Sequence, residues 1–263
     1  MSKASLIVVG SGIKFMSHLT TEAKTYIEQS DKVFYLVNEP AMKTWIHKVN
    51  NNAESLDEIY NQHEHRLDSY HAITNFILEA LRKKVHICVV VYGHPTVFAK
   101  PALDAVAQAQ KEGYFAKILP GISTESCLFA DLLIDPGTHG CLSLEATDIL
   151  LFKRNIDPTC HLIIWQVSII GALNHPRNYE NKKGIKLLAT YLKNYYEENH
   201  EIILYTAAQY PGLEPEIIYS TLKNLITLEI SRISTLYIPP KSKTVFDSIT
   251  GDILNIKLND LKR

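Results

Sequence analysis

The sequence has little cysteine. Cys88, Cys127, Cys141 and Cys160 lie far apart along the 263 residues. There is no C-x-x-C pair and no metal-finger spacing, which excludes a disulfide-stapled miniprotein and a zinc ribbon. They are read as reduced core thiols of a cytoplasmic protein. Long apolar runs are also missing, and none approaches the ~18 residues of a membrane span. The N-terminal apolar stretch runs only from Leu6 to the boundary at Gly10, too short for a signal peptide. No membrane partner is expected. Nor is there an excess of one charge: 27 basic residues meet 28 acidic ones, for a formal net charge of −1. That lacks the basic footprint of a nucleic-acid binder, so no nucleic-acid partner is expected. Internal repeats and low-complexity tracts are absent too. What remains is an ordinary globular composition on a chain long enough for one large α/β domain or two closely packed lobes.

Short β-branched runs alternate with amphipathic segments. Strands are predicted at 6–9, 32–37, 85–91, 114–119, 162–167 and 202–206, with a further short strand before Pro239-Pro240. Over 70–83 the apolar residues Ile73, Phe76, Ile77, Ala80 and Leu81 share one helix face. Leu188, Tyr191, Leu192 and Tyr195 repeat that pattern. Pro101 suits the first turn of another helix, where its missing N–H costs nothing. The alternation predicts an α/β protein with a mainly parallel sheet. Residues 137–158 read as turn-rich, so a lobe boundary is expected near 130–150.

Three strand ends carry glycine or proline. Val8-Val9-Gly10-Ser11-Gly12-Ile13 runs into a glycine turn that would let backbone approach a ligand. A dinucleotide fingerprint needs a glycine where Phe15 stands, which argues against NAD. Val91-Tyr92-Gly93-His94-Pro95 closes a strand with a proline-fixed loop, and open α/β sheets bind ligands beyond the carboxyl ends of strands. Leu119-Pro120-Gly121-Ile122-Ser123-Thr124 does the same, and Ser123 or Thr124 can cap a helix. Each also reads as a rigid turn with no ligand. Arg66 and Tyr70 are four apart and share a helix face if the helix reaches back that far; alone they read as a surface pair. His63 and His65 are spaced for a strand, and no third ligand is evident, so no metal is expected.

Taken together and in order, these segments resemble the tetrapyrrole methylase superfamily over about residues 3–240. One branch is closer. Tyr92-Gly93-His94-Pro95 with Val97-Phe98, Leu119-Pro120-Gly121-Ile122-Ser123, Cys127-Leu128-Phe129-Ala130-Asp131, Ile134-Asp135-Pro136 and Ser234-Thr235-Leu236-Tyr237 look like the borosin peptide-backbone α-N-methyltransferases. That family's Tyr-x5-Arg-x3-Tyr set falls on Tyr60, Arg66 and Tyr70, and its strand-end tyrosine on Tyr92.

The resemblance implies a catalytic domain over 1–240, made of two α/β lobes with the cofactor cleft between them, and a C-terminal tail at 241–263. It implies S-adenosylmethionine as cofactor, leaving as S-adenosylhomocysteine, held by Tyr92, His94, Val97, Ser123, Thr124, Gln166, Tyr205, Ala207, Ser234 and Thr235. The catalytic set would be Tyr60, Arg66, Tyr70 and Tyr92. Arg66 would stabilise charge on the amide oxygen. Tyr70, its pKa lowered by Arg66, would take the amide proton. A homodimer is implied. In the first-described members the substrate peptide follows the enzyme on the same chain. Here only residues 241–263 follow Pro240, so a split form is expected that methylates a separate precursor peptide, in a heterotetramer with it. A methyltransferase for a corrin or porphyrin precursor and a non-catalytic cofactor-binding module are the competing readings.

Overall fold

The computed structural model describes residues 4–83, 85–174, 181–241 and 244–261. The chain divides into two compact units. The first is Met1–Cys127 with the returning stretches Ala172–Arg177 and Ala207–Glu214; the second is Leu128–Gly171, Asn178–Thr206 and Pro215–Arg263.

The first unit contains β1 (Ser5–Gly10), α1 (Thr21–Gln29), β2 (Lys32–Leu36), α2 (Pro40–Val49), β3 (Ala53–Ser55), α3 (Asp57–Gln62), α4 (Arg66–Arg82), β4 (His86–Val91), α5 (Lys100–Lys111) and β5 (Phe115–Ile118), and ends within α6 (Thr124–Asp131). Its sheet has the order β3-β2-β4-β1-β5, with every pair parallel. Leu6, Val8, Phe34, Ile87 and Val89 pack with residues of α4 and α5, while Ile7, Val9, Val33, Cys88 and Val90 pack with residues of α1 and α2. Helices therefore cover both faces, which is why these strands read as continuous apolar runs. Because the sheet is parallel, the carboxyl ends of β1, β4 and β5 share one edge. Pro101 lies in the first turn of α5, as its missing N–H predicts.

Helix α4 begins at Arg66, a turn ahead of the apolar periodicity. The added turn is held from far along the chain: the Arg66 N–H donates to the Leu173 carbonyl at 3.0 Å, and His65 bridges to Asn174. An N-terminal donor that lacks an intrahelical partner is thereby satisfied.

The second unit contains α7 (Pro136–His139), β6 (Cys141–Glu145), α8 (Ala146–Phe152), β7 (His161–Trp165), α9 (Lys182–Leu192), β8 (Glu201–Thr206), β9 (Glu216–Thr221), β10 (Thr235–Ile238) and α10 (Ser248–Leu254). Its sheet has the order β6-β7-β10-β8-β9. Only β6 and β7 pair parallel; the other pairs are antiparallel. The expectation of a mainly parallel sheet holds for the first unit and is corrected for the second. The physical reason is in the connections: 207–215 and 222–234 form no α-helix, and parallel neighbours need a long, usually helical, crossover. Leu162, Ile164, Ile202, Leu236 and Ile238 form the core with α8 and α9. Helix α9 ends at Leu192, so Tyr195 lies in the turn beyond it, its ring still 5.8 Å from that of Tyr191. The stretch read as turn-rich holds α7, β6 and α8.

His161 is buried in this unit, its Nδ1 2.7 Å from the Tyr237 hydroxyl and its ring beside that of His139. Burial first, and then His139, lowers its pKa. A histidine held neutral in the fold takes up a proton more readily when unfolded. Its stabilising contribution is therefore complete above the unfolded value near 6.5 and is lost as pH falls below it. Tm is expected to drop between pH 7 and pH 5, and His161→Gln should flatten that drop. An unchanged slope in the variant would show that other groups set it.

In the tail, Asp247 caps α10, and the Phe246 ring packs against Gly251. Ile249, Ile253 and Leu254 are exposed. Of 241–263, residues 242, 243, 262 and 263 lie outside the described residues. Among the described residues no helix is long and apolar enough to cross a membrane.

Candidate active site

Three strand-end turns of the first unit lock together through backbone. The Ser11 N–H donates to the Val91 carbonyl at 2.8 Å, and Gly12 and Gly93 exchange both N–H···O bonds, at 3.2 and 3.1 Å. A Cβ on Gly10 would overlap the Gly93 carbonyl, and one on Gly121 would come within 3.2 Å of the same oxygen. Gly93 itself needs glycine for its φ of +71° rather than for space, since a Cβ there meets only Ile13 at 3.4 Å. Gly10→Ala is thus expected to cost about 2–3 kcal/mol from overpacking, and Gly93→Ala about 1–2 kcal/mol from left-handed backbone. Thermal unfolding of both variants checks the order; a larger loss for Gly93→Ala would contradict the packed-turn account.

The expected residues His94, Val97, Ser123 and Thr124 lie on these turns or just after them. Val97 and Phe98 are exposed at 37% and 47%, and Phe98 holds a left-handed φ of +53°. The His94 Nδ1 accepts from the Thr96 N–H at 3.2 Å, which commits that nitrogen locally. Ser123 Oγ accepts from the Ser126 N–H at 3.3 Å and caps α6, with Thr124 the first helical residue.

Tyr60, Arg66 and Tyr70 come together in the first unit. Tyr60 lies on α3, and its ring centroid is 6.2 Å from that of Tyr70 on α4. Arg66 opens α4, and its guanidinium donates to the Ala172 carbonyl at 3.0 Å. The half-buried Tyr70 phenol is pushed up to about 12. Burial raises it most, Tyr60 raises it further, and only Arg66 pulls it down. The expectation that Arg66 sets a lowered Tyr70 pKa is therefore corrected: the cation acts in the expected direction and is outweighed.

Tyr92 follows β4, and its N–H donates to the Leu36 carbonyl at 3.2 Å. Its phenol is raised by burial, partly offset by a hydrogen bond from Gln209, and raised again by the Cys127 thiol. Its partners are thus different from those of the Tyr60–Arg66–Tyr70 group. Among the described residues no three His, Cys, Asp or Glu side chains gather as a metal site would.

Four more of the expected residues belong to the second unit, at one end of its sheet. Gln166 follows β7 in a left-handed conformation, φ +58°. Thr235 pairs with Tyr205 across β10 and β8. The Ser234 hydroxyl is bonded to those of Thr206, at 2.9 Å, and Ser231, at 2.6 Å. Tyr205 is fully buried and donates to Asp131 Oδ2 at 2.6 Å. Ala207, one residue past β8, is buried and belongs to the first unit. Sequence reasoning assigned no role to Asp131, which fixes Tyr205, or to Gln209, which offsets part of the upward push on the Tyr92 phenol. No periodicity or motif marks Gln209, and Asp131 appeared only inside a quoted motif.

Comparison with known proteins gives one consistent set of similarities. The family model for tetrapyrrole (corrin/porphyrin) methylases matches residues 5–225. The methyltransferase/ribosomally synthesized cyclic peptide dendrothelin A precursor of Dendrothele bispora is 38% identical over 256 residues, covering 96% of this chain and 61% of that protein. The corresponding omphalotin A precursor of Omphalotus olearius is 38% identical over 245 residues, covering 91% and 58%. The chain thus spans about three fifths of the length of these curated relatives. In fold it is similar to uroporphyrin-III-C-methyltransferase from Thermus thermophilus, with a TM-score of 0.65, 15% identity and coverage of 91% and 93%. It is likewise similar to diphthine synthase, with a TM-score of 0.63, 14% identity and 92% of each chain covered.

Proposed function

Because the chain belongs to the tetrapyrrole (corrin/porphyrin) methylases, a family of methyltransferases, we propose that it uses S-adenosylmethionine to α-N-methylate backbone amides of a peptide. The observation that carries this reading is the Arg66 guanidinium beside the paired Tyr60 and Tyr70 phenols. The printed names of the relatives, which join a methyltransferase to a ribosomally synthesized cyclic peptide precursor, support the choice of acceptor.

An amide nitrogen is a poor nucleophile because its lone pair is delocalised into the carbonyl. Methylating it requires loss of the N–H proton, with negative charge gathering on the carbonyl oxygen. A guanidinium stays charged in a partly buried site, so Arg66 supplies the positive donor for that oxygen. The ionised form of Tyr70 receives the amide proton on its phenolate oxygen, and Tyr60 holds that oxygen in place. Tyr92 presents its ring and hydroxyl to the reacting groups. The bound cofactor supplies an electrophilic methyl group on a sulfonium. His94, Val97, Ser123, Thr124, Gln166, Tyr205, Ala207, Ser234 and Thr235, with Tyr92, would hold it. The reading includes a homodimer, and a heterotetramer when the precursor is a separate chain. Light scattering of the protein alone and with peptide measures both.

A corrin or porphyrin acceptor would use the same cofactor residues but has no amide oxygen for Arg66 to stabilise. Label transfer separates the two readings. The purified chain receives methyl-labelled cofactor and either a separate candidate peptide, the same peptide fused to its C-terminus, or a tetrapyrrole precursor. Label in either peptide supports the proposal, and label in the separate peptide establishes the trans form. Label in the tetrapyrrole alone contradicts it.

A further inference from the structure

The turn after β1 holds an imidazole that has no part in that mechanism. In a dinucleotide fold, a glycine turn after the first strand offers its successive backbone N–H groups to phosphate oxygens. Here the five N–H groups from Ser11 to Phe15 are all committed inside the protein. Ser11 donates to the Val91 carbonyl at 2.8 Å, Gly12 to the Gly93 carbonyl at 3.2 Å, and Phe15 to the Gln209 carbonyl at 2.8 Å. The two between them, on Ile13 and Lys14, converge on one atom, the His18 Nδ1, at 3.3 and 3.1 Å. The Cys127 Sγ faces the same nitrogen at 4.0 Å. The turn itself seats the ring: Gly12 has φ +70°, and a Cβ there would fall 2.2 Å from that of His18. Only glycine lets the two approach so closely.

Backbone N–H groups can only donate, so the His18 Nδ1 is the acceptor and the ring proton is on Nε2. Two neighbouring N–H groups aimed at one point form the kind of concavity that binds an anion. In this turn the lone pair of an uncharged imidazole occupies that point. We propose that His18 is a specificity-determining residue: its Nδ1 fills the anion seat of the β1 turn and closes the turn to phosphate-bearing cofactors such as dinucleotides. S-adenosylmethionine carries no phosphate, so the filled seat costs it nothing. A dinucleotide would have to displace the ring from both N–H groups. Phe15, at the place of the third glycine, breaks the sequence pattern; His18 takes away the donors that the pattern exists to present. The choice of cofactor rests on the function proposed above, whereas the filled seat does not.

The test uses the full chain, 15N-labelled, with inorganic pyrophosphate as the probe and the Ile13 and Lys14 amide resonances as the readout. His18→Ala keeps the Cβ that packs against Gly12 and removes the ring. Pyrophosphate is expected to shift both amides in this variant with a Kd at least about tenfold below that of the wild type, the scale of one hydrogen bond to a charged group. His18→Asn restores an acceptor oxygen near the position of Nδ1. It should return the affinity to the wild-type level, which a merely structural role for the ring does not predict. If His18→Ala does not fold, His18→Ser is titrated in its place. Equal affinity in the wild type and the variant without the ring, or shifts confined to other amides, overturns the proposal. So does a wild-type His18 whose Nδ1 carries the proton in the nitrogen spectrum of its ring. The titration needs neither cofactor nor acceptor. A failure to methylate any peptide would overturn the peptide reading and leave this result standing.

Discussion

Arg66→Ala is expected to slow single-turnover methyl transfer by about 10²–10³-fold, the scale of removing one preorganised donor to a developing oxyanion, with cofactor affinity unchanged. The fold should survive. The variant loses the hydrogen bond to the Ala172 carbonyl, a change of about 1 kcal/mol, while the backbone bond from residue 66 to Leu173 remains. Arg66→Lys should recover little. One arm of the planar guanidinium is already taken by Ala172, and a lysine ammonium is a point charge that cannot satisfy two directions with the same geometry. Rapid-quench measurement with saturating cofactor reads the chemical step. A variant that binds cofactor more weakly but transfers methyl at the normal rate would place the guanidinium in the cofactor pocket instead.

The second large effect is in pH. With Tyr70 pushed up to about 12, only about one molecule in 10⁵ carries it ionised at pH 7. If its oxygen takes the amide proton as a phenolate, the single-turnover rate should rise about tenfold per pH unit from pH 7 to pH 10 without levelling. Tyr70→Phe should remove this slope along with most of the activity. Arg66→Gln removes the one influence that lowers Tyr70, so its rate should still climb with pH but lie below the wild type throughout. A plateau near neutral pH in the wild type would contradict Tyr70 as the base and leave its neutral hydroxyl as a hydrogen-bond donor.

The difference between what the sequence predicts for Tyr70 and what the structure shows is instructive. Spacing places Arg66 and Tyr70 on one helix face, and the sign of their interaction follows from charge alone. The net pKa depends on how deeply the ring is buried and on Tyr60, which arrives on a separate helix. Burial depth has no local signature. The first turn of α4 was hidden for a similar reason, since the carbonyls that hold it lie at residues 172 and 173. By contrast, the turns at Gly10, Gly93 and Gly121 were legible. Glycine and proline at strand ends announce themselves, and a parallel sheet must bring its carboxyl ends to one edge. In the second unit, strand composition revealed β7, β8 and β10 but not their direction, because pairing sense is set by connections that carry no apolar period. Gln209 had no signal at all: its backbone partner Phe15 lies about two hundred residues upstream.

The most direct test of the central claim is fragmentation mass spectrometry of a candidate peptide after incubation with the chain and S-adenosylmethionine. Mass increments of one CH₂, assigned by the fragment series to backbone nitrogens and missing when Arg66→Ala replaces the wild type, are the predicted result. Methyl groups found only on side chains or on a tetrapyrrole, with the peptide backbone unmodified in both its separate and fused forms, would contradict it.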